Sequence, residues 1–260
     1  MNEARLRNML QVQLTMDYNC YLDDFENTNT LITSKVRNPE RRLFEDEDSI
    51  ANILVHEGKL IASVEDEFFD AAEEFFEDAE GEWFFDTYDL IGFDRVLNGF
   101  GYEVGPARIG FIPRSRAALR LPKPPELQTS IIEGKELQRF RNDERFNEAL
   151  LFSDVTPDVL AVAAYNEFGG VIGMAGASRN CAAMWEMGVN VLPEARQTGL
   201  AALLVSMLAN EVIERGRLPY FNACMSHLGA QRTALAAGLY PAFCELRTRR
   251  LEIESPFEEE

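Results

Sequence analysis

Histidine is nearly absent from the chain. Among 260 residues only His56 and His227 occur, which excludes histidine-rich metal centres and most histidine-based triads. Cysteine is scarce too: Cys20, Cys181, Cys224 and Cys244 lie far apart with no CxxC pair, and His227, three residues after Cys224, has no second Cys or His pair with which to complete a zinc site. They read as buried thiols of a reducing compartment, and no metal is expected. Positive charge is in deficit, with 25 Lys and Arg against 44 Asp and Glu for a net charge of −19. Such a field repels DNA, RNA and anionic membrane surfaces. Long apolar runs are missing as well. The longest, near residues 201–209 and broken only by Ser206, is far below the roughly 20 residues of a membrane span, and the first ten residues hold two arginines but no apolar signal core. These absences point to a cytoplasmic protein without nucleic-acid or membrane partners.

What is present is an ordinary globular composition, 46% hydrophobic and 27% charged, able to fill one large or two modest domains. The acidity is uneven. Residues 1–115 carry 10 basic and 25 acidic side chains, and the remainder 15 and 19. An anionic ligand is therefore easier to place in the second half, and a cationic one is drawn to the first.

Along the first half, the spacing predicts a helix over 4–16, then loops, then a strand pair, 50–55 and 60–64, around a Glu57-Gly58-Lys59 turn. Residues 65–82 hold ten acidic side chains, yet Phe68, Phe69, Ala72, Phe75, Phe76 and Ala79 recur at helical spacing among them. That pattern is an amphipathic helix with a solvated acidic face over a phenylalanine stripe; a cation-attracting rim is the sharper alternative. A helix over 90–98 and a strand over 102–112 follow. Pro113, Pro122, Pro124 and Pro125 then mark a boundary, since neither a helix nor a central strand runs undisturbed through them. The expected division is an acidic α+β domain at 1–115, a Pro-rich linker at 116–126, a second domain at 127–252 and an acidic tail at 253–260.

The second domain reads as a strand at 129–132, a helix over 134–151, strands at 159–165, 171–177 and 182–192, a helix over 200–215, a strand at 220–225, a helix over 228–237 and a strand at 243–251. This is a mixed α+β fold with a mostly antiparallel sheet. Its most informative stretch is Met184-Trp185-Glu186-Met187-Gly188-Val189-Asn190-Val191-Leu192-Pro193, followed by Glu194-Ala195-Arg196-Gln197-Thr198-Gly199-Leu200-Ala201 and a long apolar helix. A strand runs into a short loop with a basic residue and a glycine, and a helix starts. Unpaired N–H groups and the positive end of the helix dipole suit a phosphate or pyrophosphate there. Rival motifs are absent: there is no GxxxxGK[ST], Gly169, Gly170, Gly173 and Gly176 lack GxGxxG spacing, and Gly176-Ala177-Ser178 continues without the closing glycine of a nucleophile elbow.

This stretch resembles the acyl-CoA loop of the GNAT superfamily of N-acetyltransferases: Arg or Gln, two residues, Gly, any residue, then Gly or Ala, filled here by Arg196, Gly199 and Ala201. The resemblance extends through Glu211-Val212 and Gly238-Leu239-Tyr240-Pro241, over about half the chain. The first half looks like the extra N-terminal domain of one bacterial branch. The resemblance implies a GNAT-type fold for 127–252 and acetyl-CoA as co-substrate. It further implies that backbone groups of Val189 and Val191 pair with the pantetheine arm, and that Arg196, Gln197, Thr198, Gly199, Leu200 and Ala201 meet the pyrophosphate. Both valines also serve as core-strand residues, and Arg196 also reads as a surface arginine beside Glu194.

For catalysis, Glu186 on the strand before the loop is the candidate base, its alternative being a structural ion pair. Where many family members place an asparagine at the start of the last major helix, this chain has His227, and where many place a proton-donating tyrosine it has Ala234. Ser226 or His227 is then the substitute acid, each also readable as a helix cap or loop residue, and departure of the thiolate without an acid is the other option. The reading is an N-acetyltransferase acting by direct transfer on a primary amine, small or peptidic and cationic in solution. The alternatives are a catalytically weak acyl-CoA-binding regulatory protein, or an interaction module scaffolded by the second half. The oligomeric state stays open, a homodimer among the options.

Overall fold

The computed structural model describes residues 1–45, 47–119 and 123–252. Three residues of the expected linker, 120–122, and the expected tail 253–260 lie outside the described residues. In chain order the elements are α1 (Glu3–Tyr18), β1 (Leu31–Ser34), β2 (Ala51–His56), β3 (Lys59–Val64), α2 (Phe69–Phe76), α3 (Thr87–Asn98), β4 (Tyr102–Pro113), β5 (Gln128–Glu133), β6 (Asp158–Tyr165), β7 (Val171–Arg179), β8 (Met184–Val191), α4 (Leu200–Glu214), β9 (Leu218–Cys224), α5 (Leu228–Ala236) and β10 (Leu239–Arg250). Short 3-10 helices include Gly134–Phe140, Glu144–Phe146 and Pro193–Ala195.

The chain packs as two units. One gathers Met1–Asp17, Arg37–Glu45 and Arg108–Phe243. Its strands run in the order β10-β4-β9-β8-β7-β6-β5, antiparallel from β5 to β8 and between β4 and β9, with β8 and β9 parallel. The strand between β9 and β10 is thus β4, which the chain lays down before β5. The apolar runs of β6 and β7 are buried along almost their whole length because both faces are covered. On one face lies α4, whose Leu200, Leu203, Leu204, Val205, Leu208 and Val212 are buried. On the other, Leu137, Phe140, Phe146, Ala149 and Leu150 pack against Ala161, Ala163 and Met174.

That second cover departs from the expected helix over 134–151. Its apolar residues are buried as their spacing demands, but the backbone forms two 3-10 turns instead of one α-helix. The backbone closes in short turns, with Arg141 N–H bonded to Gln138 O, Asp143 N–H to Phe140 O and Phe146 N–H to Asp143 O, and at the end of the segment Asn190 Oδ1 accepts from the N–H groups of Glu148 and Ala149 at 2.9 and 2.8 Å. The backbone here also presses onto the sheet, since a Cβ at Gly188 would collide with Glu148 O and one at Gly176 with Ala149 O. We expect Gly188→Ala to cost about 1–3 kcal/mol, the usual penalty of overpacking, read as a lower denaturation midpoint. An unchanged midpoint would show that residues 148–149 are not seated on β8.

The other unit gathers Tyr18–Val36, Asp46–Ala107 and Cys244–Glu260. β2 and β3 form the expected hairpin, turned by Glu57 and Gly58 with φ of 51° and 81°, the pair of positive values that matches the strand twist. β1, within a segment expected to be loop, adds in parallel to β3, and residues of β10 pair with β2. The acidic segment is a shorter helix than its pattern predicts. Phe68, Ala72 and Phe76 are nevertheless buried, and Phe68, Phe76, Phe84 and Phe93 stack with ring centroids 5.4–6.2 Å apart, while Glu73, Glu74 and Glu77 face solvent.

Candidate active site

The site forms where β8 and β9 part. Their parallel ladder runs from Met184↔Leu218 to Met187↔Phe221 and ends there, although β8 continues to Val191 and β9 to Cys224. Beyond that point each strand is held from its far side: Val189 and Val191 pair with Ala175 and Gly173 of β7, and Asn222, Ala223 and Cys224 pair with β4. A wedge opens, with β8 backbone from Gly188 onward lacking a ladder partner on the β9 side. An extended acyl-pantetheine arm can take the place of the missing strand. Val191 directs its side chain toward the α4 face, beside Leu200 and Leu204, as the nearest neighbours of Gly173 show. Its core role and the proposed backbone role are therefore compatible.

The wedge leads to the start of α4. Pro193–Ala195 makes one 3-10 turn, Gln197 and Gly199 have φ of 62° and 83°, and Arg196, Gln197, Thr198 and Gly199 are all exposed. Thr198 Oγ1 donates to Ala195 O at 2.8 Å and Arg196 Nε to Val191 O at 3.1 Å, which ties the loop to the end of β8. The first bond of α4 is Leu203 N–H to Gly199 O. Among the described residues, no backbone acceptor takes the N–H groups of Leu200, Ala201 or Ala202. Three amides without a backbone acceptor lie at the positive end of a long helix, an arrangement that fits a pyrophosphate. A Cβ at Gly199 would meet no atom within 4 Å, so its positive φ, and not crowding, is what calls for glycine.

Glu186 stands one pair before the end of the ladder, paired with Tyr220, on the face opposite Val189 and Val191. Its Oε2 accepts from Tyr220 Oη at 2.9 Å and Asn180 Nδ2 at 3.1 Å, and its Oε1 from Asn222 Nδ2 at 3.3 Å. The carboxylate is half-buried, held by these donors yet within reach of solvent. Ser226 and His227 follow β9 and are exposed. His227 stands at the N-cap of α5 without a side-chain capping bond, and among the described residues no hydrogen bond links either side chain to Glu186. Ala234 is fully buried, so α5 offers no hydroxyl at that position. Burial pushes the thiols of Cys181 and Cys244 up, leaving both poor nucleophiles. No group of His, Cys, Asp and Glu suited to a metal occurs among the described residues, and no helix there is long and apolar enough to cross a membrane.

Sequence reasoning missed Tyr220, Asn180 and Asn222. Only the register Glu186↔Tyr220 reveals the first, and a parallel pairing across an intervening helix leaves no short-range spacing to read.

No family model matches the sequence, and no curated protein matches it. Solved structures do resemble it. A GCN5-related N-acetyltransferase-like protein from Streptococcus suis 89/1591 is 14% identical, with 96% of this chain and 100% of that one covered at a TM-score of 0.48. A GCN5-related N-acetyltransferase from Kribbella flavida is 21% identical, with 61% and 63% covered at 0.46. A GNAT-family acetyltransferase from Colwellia psychrerythraea is 12% identical, with 80% and 84% covered at 0.44. This chain thus spans less than two thirds of the Kribbella protein. The fold class is the expected one, α+β with a mixed, mostly antiparallel sheet.

Proposed function

We propose that the chain is a cytoplasmic, acetyl-CoA-dependent N-acetyltransferase that transfers the acetyl group directly to a primary amine. The observation that carries this reading is the parting of β8 and β9 next to the open amides of α4. Acetyl-CoA supplies the activated thioester. Val189 and Val191 hold its arm through their backbone, and Arg196, Gln197, Thr198, Gly199, Leu200 and Ala201 receive its pyrophosphate. Glu186 takes the proton from the acceptor's ammonium, freeing the lone pair for attack. Backbone N–H groups near Val189 polarise the carbonyl, and Ser226 or His227 returns a proton to the thiolate. Calorimetry with acetyl-CoA, followed by thiol release with an amine panel, tests the assignment; no heat of binding would end it. A weakly active acyl-CoA-binding regulator is the second reading, favoured by the buried Ala234 where a hydroxyl would serve as acid.

The acceptor is cationic in this reading, because the acidic excess lies in residues 1–115. One concentration of it is a cavity of about 1150 Å³ whose lining includes Glu73, Glu74, Glu77, Asp78, Glu80 and Glu82. Raising ionic strength should therefore increase KM for the amine while leaving kcat nearly unchanged. Equal turnover of neutral or anionic acceptors across the panel would reduce the acidity to a solubility feature.

A further inference from the structure

Arg42 is the largest of the fully buried side chains, 1% exposed, and no motif accounts for it. Its Nε donates to Asp17 Oδ2 at 2.5 Å and its backbone N–H to Asp17 Oδ1 at 2.7 Å, with the Asp17 side chain 5% exposed. The guanidinium carbon lies 5.4 Å from the ring of Phe44, 5.4 Å from that of Tyr220 and 5.3 Å from that of Phe243. A planar cation enclosed by three rings and paired with a buried carboxylate has one available orientation, and it fixes the rings in turn. Tyr220 is fully buried, and its hydroxyl donates to the Glu186 carboxylate at the mouth of the wedge.

We propose that Tyr220, locked by the Arg42–Asp17 pair, is a positioning residue that aims the Glu186 carboxylate at the transfer site. The proposal rests on the general-base reading of Glu186 for its kinetic consequence, but not for its geometry. The guanidinium holds the ring, the ring holds the hydroxyl, and the hydroxyl takes up Oε2 together with Asn180. A lysine at position 42 keeps the charge but loses the plane that stacks; a phenylalanine at 220 keeps the ring but loses the bond.

The test compares the parent with Tyr220→Phe, Arg42→Lys, Glu186→Gln and the Tyr220→Phe/Glu186→Gln double variant. Thiol release from acetyl-CoA is followed with spermidine, cadaverine and lysine methyl ester, and the ¹³C carboxyl resonance of Glu186 is assigned by its loss in Glu186→Gln. Tyr220→Phe should lower kcat by about 10- to 100-fold, the worth of a hydrogen bond to a charged group, with KM for acetyl-CoA and the thermal midpoint close to parental values. The double variant should be no slower than Glu186→Gln alone. The Glu186 resonance should move in Tyr220→Phe and also in Arg42→Lys, and the shift caused by Arg42→Lys should vanish in the Tyr220→Phe background, which separates the ring from the backbone route through Leu43 to Asn180. Losses that multiply in the double variant, or a Glu186 resonance unmoved in Arg42→Lys, would overturn the proposal. Should Arg42→Lys not fold, Phe44→Leu opens the stack from another side and is judged by the same resonance. If Glu186→Gln turns over at the parental rate, the general-base reading fails, and the resonance alone decides the positioning.

Discussion

Glu186→Gln should lower turnover by about 10²- to 10⁴-fold at neutral pH, the range of a lost general base, equivalent to roughly 3–5 kcal/mol of barrier. Acetyl-CoA affinity should stay near the parental value, because Glu186 projects from the face of β8 opposite Val189 and Val191. The loss therefore belongs in kcat. Raising the pH supplies more neutral amine from solution and should shrink the deficit, which a damaged fold would not allow. An unchanged rate would remove Glu186 from the mechanism and turn attention to an ordered water or to His227, exposed at the start of α5.

Gly199→Trp should reduce acetyl-CoA affinity by at least about 100-fold, a loss of roughly 2.7 kcal/mol. Two effects combine. The φ of 83° costs a residue with a Cβ about 1–2 kcal/mol, and the indole stands over the amides of Leu200, Ala201 and Ala202. The variant should still fold, since the space around a Cβ there is open. Gly199→Ala separates the two effects: it carries the strain without the bulk and should lose only about 5- to 30-fold in affinity. A folded Gly199→Trp protein that binds acetyl-CoA with parental affinity in calorimetry would place the pyrophosphate elsewhere.

Local signals in the sequence were strong where one element decides its own form. The apolar periodicity of α4, the Glu57-Gly58 turn and the strand-loop-helix at Glu186 to Leu200 are each contained in a few adjacent residues, and each is found as expected. The spacing within 134–151 identified the residues that are buried but not their backbone: the chain closes in short turns between 138 and 146, and Asn190, some forty positions later, takes the amides of Glu148 and Ala149. The acidic helix was overextended for a related reason. Gly81 lies against the backbone of Gly58 and Leu60, and that contact, absent from the local pattern, draws the chain out of helical form. At the site, the loop was legible and the surroundings of Glu186 were not. Arg42 belongs to no periodic element, and Asp17, although in register with Leu10 and Leu14, lies just past the end expected for the first helix; only the folded arrangement of rings around the guanidinium gives the pair a task.

The position of β4 has a consequence for how the chain comes into being. Phe111 pairs with Phe221, so the loop closed by this contact takes in most of the second half of the sequence. On a ribosome adding about 5–20 residues per second, β4 emerges many seconds before the strand it pairs with, and until then it presents a bare edge to any other extended segment. A non-local closure of this kind is slow. By the same reasoning, residues 127–252 produced alone would lack the strand that lies between β9 and β10, and would leave both with open edges prone to association.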